Sequence, residues 1–131
     1  MKSSVLRSIG AVLAGLTVIV VLSTVTDAAM HHTGVFPPAG QPMAGPLFLL
    51  PLAYRILYGV AGCYLAARLA PGRPLKHAMV LGAMGTVVGL VGAAATWNRG
   101  PEFGPKWYAL AVAATALPCA WAGGRLGEYR R

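Results

Sequence analysis

Four stretches of this chain, residues 9–26, 51–70, 78–97 and 107–124, are each 18 to 20 residues long and nearly free of charge. The second carries Arg55, with Arg68 at its inner end, and its apolar character begins as early as Leu47; the other three carry no charged residue. A helix needs about 20 apolar residues to cross about 30 Å of hydrocarbon, so each run is long enough to span a bilayer. None alternates with period two, and each is longer than the strand of a membrane barrel. The expected fold is an all-α integral membrane protein. Its four transmembrane helices would form an up-down antiparallel bundle and a single domain.

Composition agrees. Only 11% of the 131 residues are charged and 56% are hydrophobic, with a mean hydropathy of +0.63. A soluble domain carries about 25% charged residues, so too few are present here to cover a water-facing surface. The same apolar excess excludes disorder, and two cysteines are too few for a disulfide scaffold. The net charge of +8 does not point to nucleic acid, because the basic residues flank the apolar runs and form no patch with interleaved aromatics.

Those flanks predict an orientation. With the N-terminus inside, the short inner segments hold Lys2, Arg7, Arg68, Arg73, Lys76, Arg125, Arg130 and Arg131, against Arg99 and Lys106 outside; Arg55 completes the eleven. A bias of eight to two places both termini in the cytoplasm. Trp97, Trp107 and Tyr108 bracket the second outer loop, where aromatic rings settle among the headgroups. A small four-span chain with short basic inner connections resembles many bacterial inner-membrane proteins, so a bacterial-type cytoplasmic membrane is the expected location. Lys2 and Arg7 ahead of an apolar core, with Thr26 and Ala28 after it, also fit a leader cleaved after Ala28. The run is longer than a usual leader core, which favours a retained span.

Between the first two spans lies an outer loop, 28–46, in which Pro37, Pro38, Pro42 and Pro46 alternate with Gly34, Gly40 and Gly45. It is expected to be irregular. The inner connection Pro71, Gly72, Arg73, Pro74 reads as a tight turn. No internal repeat supports an inverted-repeat transporter.

Candidate functional residues fall into three groups. In the third span, Ala78, Gly82, Gly85, Gly89, Gly92 and Thr96 lie within roughly 80° of one another, a smooth stripe that lets a neighbouring backbone approach closely. In the second, Arg55 shares a face with Tyr58, Gly59, Gly62 and Ala66, while Ile56, Leu57, Val60 and Tyr64 are expected to face lipid. An arginine on the small-residue face should point inward and pair with Asp27 or contact a substrate. At the end of the first span, Asp27, His31 and His32 cluster, with Met30 between and Met43 later. A solvated interfacial cluster is a better reading of these few donors than a metal site. His77 lies on the opposite side, and Cys63 and Cys119 near mid-bilayer act as small hydrophobes. Pro118 removes a hydrogen bond to the Ala114 carbonyl and should bend the fourth helix.

No nucleophile with a base, no phosphate loop and no pair of membrane carboxylates is present, so no enzyme, no cofactor and no metal is expected. The first functional expectation is a non-catalytic membrane component acting through helix packing, as a homo-oligomer or as a subunit of a larger membrane complex. The lipid bilayer and a membrane protein are its expected partners. The alternative is an oligomeric transporter or channel for a small solute or ion passing Arg55, Asp27 and the histidines. A weaker one is a quinone- or metal-linked redox protein.

Overall fold

The computed structural model of the chain describes residues 2–35, 45–98 and 106–129. Four α-helices account for nearly all of them: α1 (Lys2–His32), α2 (Leu49–Leu69), α3 (Pro74–Thr96) and α4 (Lys106–Tyr129). A 3-10 turn at Gly45–Phe48 leads into α2, and among the described residues there is no strand. Each helix is long and apolar enough to cross a membrane.

The helices overrun the apolar runs that predicted them. α1 continues past Thr26 to His32 because nothing in Ala28, Ala29, Met30, His31 and His32 breaks a helix. The expected irregular segment at 28–46 therefore begins helical and starts later than the sequence suggested. Thr33 closes the last turn, its amide and its hydroxyl donating to the Ala29 carbonyl at 2.9 and 2.8 Å, and Gly34 leaves the helix with φ +84°. Pro37, Pro38, Pro42 and Gly40 lie outside the described residues.

At the opposite end, Pro74 starts α3, where its missing N–H costs nothing. The turn before it takes its left-handed residue at Arg73 (φ 48°, ψ 61°) and not at Gly72. His77 holds this conformation: Nδ1 lies 2.9 Å from the Arg73 carbonyl and Nε2 lies 2.8 Å from the Ser8 hydroxyl of α1. A carbonyl only accepts, so Nδ1 carries the proton of that bond.

Small residues set how the helices meet. The α3 stripe faces α4: a methyl group added at Gly89 would stand 2.9 Å from Ala113 Cβ, one at Gly85 3.3 Å from Ala116 Cβ, and one at Gly82 would overlap Ala120. Gly124 of α4 continues the seam against Ala78 and Leu75. A second seam joins α4 to α2, with Cys119 against Gly59, Gly123 against Val60, Cys63 and Tyr64, and Gly127 against Ala67, Tyr64 and Arg68. A third joins α1 to α2, where Gly15 and Gly62 meet backbone to backbone and Ile19 lies over Gly62. The core is correspondingly made of small groups around one leucine: Cys63, Ala66, Ala67, Ala78 and Ala120 with Leu81.

Two expectations are corrected. Ile56, Val60 and Tyr64 are half-buried, because the α2 backbone at these residues lies against α4, while Leu57, 65% exposed, faces outward. Gly92 is exposed, and among the described residues nothing lies within 4 Å of an added methyl, so it takes no part in the seam they form between α3 and α4. Helices that cross at an angle separate beyond their contact, although the glycine period runs on.

Candidate functional site

Arg55 stands six residues into α2, about 9 Å along its axis. The last turns of α1 bring Asp27 to the same level, and the first turn of α4 brings Tyr108. One arginine of α2 therefore meets two other helices. Its Nη2 donates to Asp27 Oδ2 and its Nη1 donates to Tyr108 Oη, while Tyr54 Oη donates to the other carboxylate oxygen, Oδ1. Beside this, Thr26 Oγ1 and Tyr58 Oη share a hydrogen bond of 2.7 Å.

Aromatic rings wall the cluster. The Tyr54 and Tyr108 rings stand 5.7 and 5.9 Å from the Arg55 guanidinium carbon, within reach of cation–π attraction. Phe48 packs on Tyr108 with ring centroids 4.9 Å apart, and Tyr54 on Tyr58 at 5.8 Å. Tyr54 is buried, and the Asp27 and Arg55 side chains are each 30% exposed. The two charges cancel, and each is held by donors or acceptors that suit it.

Each oxygen of Asp27 accepts one hydrogen bond, from Tyr54 at Oδ1 and from Arg55 at Oδ2, which ties the carboxylate to α2 through two side chains while each oxygen keeps a second lone pair. His31 and His32 extend along α1 and are exposed. Among the described residues no group of three or more His, Cys, Asp or Glu is placed to hold a metal. Met43 lies outside them.

Cys63 and Cys119 are free thiols, both buried between α2 and α4, and the Cys119 sulfur lies 3.6 Å from the Ile56 carbonyl. Pro118 sits within α4, which continues through it. On α1, Ser23 is 9% exposed, and its hydroxyl has no hydrogen-bond partner among the described residues.

Of the residues singled out in the sequence, the structure brings together Asp27, Arg55 and, through Thr26, Tyr58. His31 and His32 follow Asp27 on the same helix and are exposed. Tyr54 and Tyr108 were not anticipated. Tyr54 lies four residues before Tyr58 on the face that carries the arginine, a spacing that could have been read; Tyr108 looked like a headgroup-level ring and instead turns onto Arg55. The seam of Cys119, Gly123 and Gly127 was also missed, although its four-residue spacing is plain in the sequence.

Comparison with known protein families, with curated proteins and with solved structures gives no match for this chain.

Proposed function

We propose that this chain is a multi-pass protein of a bacterial-type cytoplasmic membrane, an up-down antiparallel bundle with both termini cytoplasmic. It acts without catalysis, through helix packing, as a homo-oligomer or as a subunit of a larger membrane complex. The observation that carries this reading is the contrast between a closed interior and an apolar exterior. Inside, glycine, alanine and cysteine bring the helices to backbone contact. Outside, α1 exposes Val5, Leu6, Ile9 and Val25, and α3 exposes Val87, Val88 and Val91. Such faces are stable in lipid or against another membrane helix and costly in water. A transporter within one copy would need a continuous polar path, whereas among the described residues the side chain-to-side chain hydrogen bonds between helices gather at the two ends, and the middle holds the contacts of Thr86 and Cys119 with the Ala113 and Ile56 carbonyls.

Extraction in mild detergent followed by mass measurement of the intact assembly tests the reading. A defined homo-oligomer or a co-extracted membrane subunit is expected; a strictly monomeric chain that moves an ion across proteoliposomes would replace this reading with the transporter. Orientation is tested separately by cysteine-accessibility labelling. Positions 72 and 128 should react only from the cytoplasmic side and positions 40 and 100 only from outside.

A further inference from the structure

The two ends of the helix assembly differ in their charge. At the Asp27 end Arg55 is neutralised by Asp27. At the other end the contacts between Ser8 and His77, Gly124 and Leu75, and Gly127 and Arg68 bring one terminus of each helix together. There Arg7, Arg68, Arg73, Lys76 and Arg125 are all exposed. Arg125 pairs with Glu128 at 3.1 Å, which leaves four cations that meet no carboxylate among the described residues.

Each of these four borders exposed apolar side chains. Arg7 follows Val5 and Leu6, 58% and 68% exposed; Arg68 precedes Leu69, 47% exposed; Arg73 and Lys76 open the helix that carries Val80, 46% exposed. Arg68 also leans back along α2, its Nη1 donating to Tyr64 Oη at 3.0 Å with the ring 5.8 Å from the guanidinium carbon. That posture holds the charge near the edge of the apolar belt. A water-borne polyanion would cover the cations and leave the apolar side chains bare. An anionic amphiphile covers both.

We propose that this end of the protein binds anionic phospholipid, with headgroup phosphates held by Arg7, Arg68, Arg73 and Lys76 and acyl chains lying along the apolar side chains beside them. The inference rests on the membrane reading above and adds to it a ligand class and a site. Basic residues at a membrane surface each favour anionic lipid by about fivefold, less under salt screening.

The test uses the full chain reconstituted in nanodiscs with equal phosphatidylglycerol and phosphatidylcholine, and reads the lipid retained after mild detergent release by native mass spectrometry. About a tenfold enrichment of phosphatidylglycerol is expected, falling to within about twofold for the variant Arg7→Gln, Arg68→Gln, Arg73→Gln, Lys76→Gln. Should that variant not fold, the wild-type chain still decides: its enrichment should drop several-fold when salt rises from about 0.05 to about 0.5 M. Equal retention of the two lipids, salt-independent retention, displacement by millimolar inorganic phosphate alone, or retention of an acidic protein in place of lipid overturns the proposal. A chain recovered in the soluble fraction without detergent overturns the membrane reading itself; an integral chain indifferent to headgroup overturns only the lipid site.

Discussion

At the Asp27 end, three helices are joined by long side chains that reach across a gap. From the middle of the molecule toward His77, they are joined by backbone lying against backbone. The two devices hold helices together on different physical terms. The cluster of Arg55, Asp27, Tyr54 and Tyr108 is directional and carries its own desolvation cost, but its side chains can follow a small shift of the helices. The seams at Gly82, Gly89, Gly123 and Gly127 rest mainly on dispersion energy, with Thr86 and Cys119 adding contacts to the Ala113 and Ile56 carbonyls, and have no slack, since a single added methyl already collides. Perturbing a seam should therefore cost more than cutting the polar cluster.

The largest effect is expected at Gly123. A side chain there would overlap the Val60 carbonyl and stand 2.9 Å from the Tyr64 amide nitrogen and 3.0 Å from Cys63 Cβ, two of them backbone atoms that cannot rotate aside. Gly123→Leu should destabilise the protein by about 3 kcal/mol, measured by thermal unfolding in a fixed detergent. An unchanged transition would show that α2 and α4 are not in backbone contact and would reverse the ranking of the two devices.

A smaller effect is expected from the polar end. Asp27→Asn and Arg55→Gln should each cost about 1–2 kcal/mol, because each leaves a partly desolvated charge without its partner, and the double substitution should cost about 1 kcal/mol less than their sum. Strictly additive losses would mean that the two residues stabilise the fold independently.

The sequence showed this pair and hid its surroundings for a physical reason. A lone arginine on a small-residue face must point inward, and Asp27 is the carboxylate at the neighbouring span's end; few alternatives exist. A tyrosine near a helix end is equally at home among headgroups or turned inward, so Tyr108 carried no such constraint. The α3 stripe was visible because its period is helical, yet periodicity names the face that packs and not the helix it meets. That α4 is the partner, and that α4 uses a second row of small residues to hold α2, follows only from the three-dimensional arrangement. Ile56, Val60 and Tyr64 are half-buried where a lipid-facing set was expected, because a helix packed on two sides has no single buried face.

Tyr108→Phe separates the parts of the polar cluster. The substitution removes the hydroxyl that accepts from Arg55 while keeping the ring beside the guanidinium and against Phe48. A loss of about 1 kcal/mol is expected if the hydrogen bond matters and nearly none if the ring alone does. Thermal unfolding beside the Arg55→Gln variant, in which both contacts are gone, gives the partition.

The smallest effect, opposite in sign, is expected at the end of the α3 stripe. Gly89 and Gly92 are three residues apart on one helix face, and the sequence treats them alike. A methyl at Gly89 would stand 2.9 Å from Ala113 Cβ and 3.0 Å from its Cα, whereas one at Gly92 would meet nothing among the described residues. Alanine is favoured over glycine in a helix interior by up to about 1 kcal/mol, chiefly because the unfolded chain loses less freedom. At Gly92 that gain is unopposed, so Gly92→Ala should raise stability by a fraction of 1 kcal/mol up to about that limit. At Gly89 the collision with α4 offsets it, and Gly89→Ala should lower stability. Both variants should be followed by thermal unfolding and by the mass of the detergent-extracted assembly. If Gly92→Ala lowers stability and reduces the assembled mass together, the space beside it is filled by a second membrane helix, and the α3 stripe is then one continuous surface shared between α4 and a partner.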